Sequence, residues 1–433
     1  MKPTVNGINP SLKELVENTK VKYVQNYDKF KPGKTYVNYS GPFWSDDEVY
    51  AAVNSFLNGK WLVTGEKVHQ FQAKFSKKYN VAKSHMVNSG SSANLVMVTA
   101  LKKRFDWSDG DEVIVSPVGF PTTISPLIQN NLKPVFIDIE MSTLNFDVNL
   151  IESQINEKTR GIFVSPVLGN PPDMKRLGDI CDKHGLILIG DNCDSLGTKW
   201  DGELLTDLYH CWSTSFYPAH HITTGEGGMI SSNDEELIKL CMSISWWGRD
   251  CYCVGAANMI PCGTCGNRFD KWIPEYDGII DHKYLFTNIG YNLKPLDLQG
   301  AIGLEQLNKV DQIDVNRKKI WKHFDEAISS VDGCRTVEIH PESDVSWFGF
   351  PIICKDKAMK EKFVAYLEES KIQTRNYFAG NILIHPAFKH LDDYKKYPNS
   401  NLALSHVFFI GCNPSYTDEV IEYVKDTLRG FKA

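Results

Sequence analysis

The sequence predicts an α/β protein built as a doubly wound, mostly parallel sheet with helices on both faces, and three observations carry that expectation. Residues 112–116, 135–139, 161–164 and 186–189 are short, β-branched-rich and almost uninterrupted by polar side chains, the pattern of strands buried on both faces. The stretches between them leave room for helical crossovers. The 433 residues are 42% hydrophobic and 23% charged, with 31 Gly and 20 Pro. That composition supports a large packed core and excludes collagen-like, low-complexity and wholly disordered chains.

Residues 1–43 are polar, with Pro3, Pro10 and Pro32, and read as a partly helical arm rather than a domain. Ser45-Asp46-Asp47-Glu48 marks a helix start, because a side-chain oxygen caps free N–H groups and acids suit the positive end of the helix dipole. Residues 44–294 form the large domain in this reading. Near Pro295 a long helical pattern begins with Ala301, Leu304 and Leu307 and continues through Ile313, Ile320, Trp321 and Phe324, leading into a smaller α+β domain over 295–433. Neither a fixed-period repeat nor an apolar run near membrane-spanning length is visible.

The net charge of −6 gives no global attraction for a phosphate backbone, and no local basic patch stands in for one, so no nucleic-acid partner is expected. Eleven cysteines are too dilute for a disulfide scaffold, and the start, Met1-Lys2-Pro3-Thr4-Val5-Asn6, lacks the apolar segment of a signal peptide. The expectation is a reducing, cytoplasmic setting without membrane association, in which some cysteines bind metal.

Three segments suggest a site. Asn88-Ser89-Gly90-Ser91-Ser92-Ala93-Asn94 precedes the helical residues 95–98; small residues at a helix start let N–H groups approach an anion such as a phosphate, although an ordinary Ser-rich N-cap reads the same way. Asp191 closes an apolar strand, where open α/β sheets place ligands. A buried acid there faces a cation or a donor such as a protonated pyridine nitrogen, or else caps a neighbouring segment. Residues 213–228 place His220 and His221 beside hydroxyls and a Gly-rich turn; at least one of them suits a general base, while a lone histidine is more often structural than catalytic, and His221 stays in that category.

In this order the segments resemble the vitamin B6-dependent family of aminotransferases and dehydratases acting on nucleotide-linked 4-keto sugars. The likeness runs from about Pro42 to the C-terminus and includes Gly59-Lys60-Trp61-Leu62-Val63-Thr64-Gly65, Ser89-Gly90-Ser91-Ser92-Ala93, Gly169-Asn170-Pro171-Pro172-Asp173-Met174, Ser215-Phe216-Tyr217-Pro218, Gly225-Glu226-Gly227-Gly228 and Gly290-Tyr291-Asn292. The resemblance implies the aspartate-aminotransferase-like fold, fold type I of the pyridoxal phosphate enzymes, and a homodimer with active sites at its interface. By position, Asp191 would pair with the pyridine nitrogen and Phe120 would stack on the ring. Gly90, Ser91, Ser92 and Ser215 would hold the cofactor phosphate, with Asn292 reaching it from the other subunit.

One departure changes the implied chemistry. Aminotransferases of the family carry a lysine two residues after the proline of Ser-Phe-x-Pro; here that residue is His220, and no lysine occurs between Lys199 and Lys239. Without the amine there is no internal Schiff base to anchor pyridoxal phosphate. Pyridoxamine phosphate used by a histidine base implies instead loss of the 3-hydroxyl from a 4-keto sugar.

Cys251, Cys253, Cys262 and Cys265 taken alone fit a four-thiolate zinc loop. One branch of the family, acting on CDP-4-keto-6-deoxy-D-glucose, instead holds a 2Fe-2S cluster with a cysteine just after the pyridine-binding aspartate, a Cys-x-Cys and a fourth cysteine. By position these are Cys193, Cys251, Cys253 and Cys265, with Cys262 the alternative fourth ligand, in a loop over about 246–285. The branch implies an NADH-dependent flavin and iron-sulfur reductase as electron donor. The remaining cysteines are expected to pack as small hydrophobes.

Overall fold

The computed structural model describes residues 10–18, 27, 29–251, 268–269, 273 and 275–432. Its centre is a seven-stranded sheet of β1 (Lys83–Val87), β2 (Glu112–Val115), β3 (Lys133–Phe136), β4 (Thr159–Val164), β5 (Ile187–Asp191), β6 (Cys211–Ser215) and β7 (Gly228–Ser232). The spatial order is β1-β7-β6-β5-β4-β2-β3. Six strands share one direction and β7 runs against both of its neighbours.

The four strands expected from the sequence are present. β3 lies about two residues nearer the N-terminus than the apolar run suggested, because its ladder with β2 pairs Glu112 with Lys133 and Val115 with Phe136. It tolerates Pro134 because it is an edge strand. Strands β1, β6 and β7 were not foreseen. β6, Cys-Trp-Ser-Thr-Ser, is wholly buried despite three hydroxyl residues, so its hydropathy hides it.

Helix Asp46–Asn58 begins where the sequence placed a start: Ser45 is its N-cap, and the Glu48 carboxylate accepts the Ser45 N–H at 2.8 Å. The long helix Asp297–Ile328 crosses this helix and Glu66–Lys78. Their close approach depends on Gly300, where an added Cβ would stand 2.4 Å from the backbone nitrogen of Val68. At the same crossing Asp297 Oδ1 accepts the N–H groups of Gly65, Lys67 and Val68 at 2.8, 3.0 and 3.0 Å, capping its neighbour's first turn. On one side of the sheet Phe71, Phe75, Trp212 and Phe216 form an aromatic core beneath the long helix. On the other, helix Gly90–Arg104 packs through Val96, Met97 and Leu101.

A second sheet follows the long helix. It comprises β8 (Cys334–Arg335), β9 (Gly349–Cys354), β10 (Thr374–Asn376) and β11 (Val407–Gly411), in the order β8-β9-β11-β10 and antiparallel throughout. No described helix is long and apolar enough to cross a membrane.

Candidate active site

The carboxyl ends of β5 and β6 and the turn after β1 open into one cavity of about 600 Å³, closed on its far side by residues of the second sheet. Gly90, Ser91, Phe120, Asp191, Cys193, Ser215 and His220 all line it, so segments up to 130 residues apart in sequence meet there.

The wall nearest β1 is an anion cradle. Ser89 caps helix Gly90–Arg104, its Oγ accepting the Ser92 N–H at 3.1 Å. Gly90 is pressed against Ser215, so that an added Cβ would come within 2.4 Å of Ser215 Cβ. The first-turn N–H groups have no partners within the helix, and the Ser91 and Ser215 side chains stand beside them. This suits a phosphate.

Asp191 lies at the cavity floor, 5% exposed. Its Oδ2 accepts from Asn94 Nδ2 at 2.8 Å and Thr123 Oγ1 at 2.6 Å, and Oδ1 accepts a long bond of 3.4 Å from the Cys193 N–H. The Asn94 amide is itself oriented by Ser213 Oγ, which donates to its Oδ1 at 2.5 Å. Three neutral donors hold the carboxylate, and no lysine or arginine among the described residues pairs with it, so a protonated ring nitrogen fits beside it. Phe120, half exposed, meets Phe378 edge-on at 6.3 Å and offers a face to a flat ring. Cradle, acid and aromatic together fit a phosphorylated pyridine cofactor.

His220 projects from the turn after β6. Its ring lies 5.2 Å from that of Phe348, and Nδ1 is 3.5 Å from Asp194 Oδ1. Burial, reinforced by the Arg317 charge, lowers its pKa to about 3. Burial raises Asp194 to about 7, against the Leu168 N–H that donates to its Oδ2 at 3.2 Å. Near pH 7 the imidazole is therefore uncharged, and its approach to Asp194 is a contact rather than an ion pair. The turn is fixed from behind by buried Arg317, whose Nη2 donates to the carbonyls of Ala219 and His220 and whose Nη1 donates to those of Trp347 and Phe348. His221 points into the core, with Nε2 3.1 Å from the Ser346 carbonyl oxygen. Among the described residues no lysine lines the cavity.

Other expected residues are placed differently. Ser92 stands one step behind the cradle, bonded to Ser89. Asn292 is exposed, bridged to Trp246 and outside the cavity of its own chain. Cys193 lines the cavity beside Asp191, its thiol pushed well up by burial and the nearby carboxylate. Cys251 instead faces a separate small recess with His69 and His85. Cys253, Cys262 and Cys265 lie outside the described residues. Among the described residues no group of three or more His, Cys, Asp or Glu is arranged to hold a metal ion, so the fit of an iron-sulfur cluster is not made by the residues in view.

Sequence reasoning missed Asn94, Thr123, Asp194, Arg317 and Arg375. Two of these left a signal: Asn94 interrupts the buried face of its helix between Ala93 and Val96, and Arg317 occupies an apolar register with Ile313, Ile320 and Phe324.

The chain is similar to known proteins over most of its length. The sequence model of the DegT/DnrJ/EryC1/StrS aminotransferase family matches residues 45–429. The chain is 37% identical to a dTDP-4-dehydro-2,6-dideoxy-D-glucose 3-dehydratase of Saccharopolyspora spinosa, over 93% of this chain and 88% of the relative. It is also 37% identical to the lipopolysaccharide biosynthesis protein RfbH of Salmonella typhimurium, over 93% of each. Among solved structures it is similar to an E. coli GDP-4-keto-6-deoxy-D-mannose 3-dehydratase with bound hydrated pyridoxal phosphate, with 28% identity, a TM-score of 0.79 and coverage of 91% of this chain and 99% of that one. The fold is that of the fold type I pyridoxal phosphate enzymes.

Proposed function

The chain belongs to the DegT/DnrJ/EryC1/StrS aminotransferase family, and from that membership we propose that it is a pyridoxamine phosphate-dependent 3-dehydratase of a nucleotide-linked 4-keto-6-deoxyhexose. The observation that carries the reading is His220 in a cavity that no described lysine lines. Relatives named as nucleotide-sugar 3-dehydratases support it.

The cradle of Gly90, Ser91 and Ser215 would hold the cofactor phosphate, Asp191 its ring nitrogen and Phe120 its ring face. When bound, the cofactor would supply an amine for the 4-keto group and a ring that takes up the electron pair left by a lost proton and gives it back to expel the 3-hydroxyl as hydroxide. The protein's part is positional and protolytic. Asp191, held by Asn94 and Thr123, sets its carboxyl group where a ring cation is stabilised. His220, uncharged near pH 7, takes a proton at an imidazole nitrogen, and Asp194 and Arg317 keep ring and turn in place. A positioned base contributes roughly 10²- to 10⁴-fold in rate. Incubation with pyridoxamine phosphate and the 4-keto-6-deoxyhexoses of CDP, dTDP and GDP tests the reading. At least one sugar loses its 3-oxygen; three intact sugars refute it.

A finer reading follows the cysteine pattern. In it Cys193, Cys251, Cys253 and Cys265 hold a 2Fe-2S cluster, an NADH-dependent flavin and iron-sulfur reductase supplies electrons, and the substrate is the CDP sugar. Its support is the match by position to the cluster-bearing branch of the family and the place of Cys193 beside Asp191; Cys251 faces a separate recess. Iron and acid-labile sulfide in anaerobically purified protein, lost in Cys251→Ser, are the expected result; zinc or no metal refutes it. A homodimer is part of the same reading. Exposed Trp61, Leu62, Phe286 and Ile289, together with an Asn292 that lies outside its own cavity, support it, and sedimentation as a monomer refutes it.

A further inference from the structure

The cavity is lined by three acids, Asp191, Asp194 and Glu226, and among the described residues by a single arginine or lysine, Arg375. Arg375 lies on β10, at the edge of the second sheet and across the cavity from the cradle on the first. Its guanidinium lies 4.0 Å over the ring of Tyr39. Nη1 donates to the Thr374 carbonyl at 2.8 Å, which leaves most of its five N–H donors free. Among the described residues no carboxylate pairs with it.

Tyr39 is itself anchored. Its N–H donates to Gln373 Oε1 at 3.3 Å and its ring meets Phe409 edge-on at 6.1 Å. Stacking on a fixed ring restrains the guanidinium and costs it little hydration. The result is an exposed, partly oriented fork of donors in a cavity that otherwise offers an anion carboxyl groups and an uncharged imidazole. A nucleotide-linked sugar brings a doubly charged diphosphate into that cavity, and the cradle by Gly90 serves the cofactor phosphate. A diphosphate among three acids needs a cation, and planar donors match phosphate oxygens two at a time.

We propose that Arg375, held on Tyr39, binds the diphosphate of the nucleotide-linked substrate and so fixes where the sugar enters the cavity. This rests on the reading of function above. The test compares wild type, Arg375→Met and Arg375→Lys in two assays: binding of CDP, dTDP and GDP by calorimetry, and KM for the sugar nucleotide that wild type turns over. Arg375→Met is expected to weaken the best-bound nucleoside diphosphate and raise KM by about 10- to 100-fold, the size of a charged hydrogen bond. Arg375→Lys recovers part of the loss, and pyridoxamine phosphate affinity stays within about twofold. Unchanged nucleoside diphosphate affinity in Arg375→Met overturns the proposal. So does a loss confined to the cofactor, which would assign Arg375 to the cofactor phosphate. If wild type dehydrates none of the sugars, the functional reading fails, and the calorimetric arm still decides the role of Arg375.

Discussion

Nδ1 of His220 stands 3.5 Å from Oδ1 of Asp194, with 15% and 12% of the two side chains exposed. The acid sits three residues beyond Asp191, in the turn that leaves β5. One short segment therefore places both Asp191 and Asp194 in the wall of the cavity that His220 lines. Asp194→Asn keeps the shape and removes the charge-bearing oxygen. The expected outcome in steady-state kinetics is a fall in kcat, bounded by the roughly 10²- to 10⁴-fold of a positioned base, with cofactor affinity retained. Unchanged kcat would separate Asp194 from His220.

Gly90→Ala tests the cradle. The added methyl would meet Ser215 Cβ at 2.4 Å, so the helix start must move away from β6. Pyridoxamine phosphate affinity, measured by equilibrium dialysis, is expected to fall by about tenfold or more while the fold persists, because a charged hydrogen bond to phosphate is worth roughly 1.5–3 kcal/mol. Affinity equal to wild type would place the phosphate elsewhere.

Arg317→Met removes a buried donor from four carbonyls, those of Ala219, His220, Trp347 and Phe348. Each acceptor left unpaired in the core carries a cost, and the expected loss in urea unfolding is about 3 kcal/mol. A change below about 1 kcal/mol would mean that water replaces the guanidinium.

Acid stability follows from buried neutral histidines. Burial, with His69 nearby, lowers His85 from 6.5 to about 3, and burial with the Arg317 charge lowers His220 likewise. Each folded-state pKa lies below the unfolded one, so between pH 6.5 and about 3 the unfolded chain binds more protons. Stability is full above 6.5 and falls as pH drops through that window, by up to about 1.4 kcal/mol per pH unit for each histidine. Thermal melts at pH 7 and pH 5 should show a smaller drop for His85→Gln than for wild type; an equal drop would mean that His85 does not contribute.

The sequence displays those parts of this fold and site that depend on local pattern. β2 and β4 are apolar runs, the capping box at Ser45 and Glu48 is a local signal, and Asp191 ends a strand visible from its leucines and isoleucines. β6 and β7 are hidden because the sheet buries Ser213, Thr214, Ser231 and Ser232, whose hydroxyls bond to Asn94, the Asn192 carbonyl, Ser84 and the His210 carbonyl and which hydropathy scores as polar. Thr123, Asp194 and Arg375 reach the cavity or its lining carboxyl group only where the chain brings distant segments together. Cys193 and Cys251 show the reverse: the resemblance to the cluster-bearing branch groups them in one site, and the described structure puts them in separate recesses.

The most direct measurement is the mass of the sugar after one incubation of a nucleotide-linked 4-keto-6-deoxyhexose with pyridoxamine phosphate, run in parallel for wild type and His220→Asn. The account predicts that the wild-type product lacks the 3-oxygen, while His220→Asn binds the cofactor and returns the sugar intact. An aminated sugar that keeps all its hydroxyls, or dehydration by His220→Asn at the wild-type rate, would contradict it.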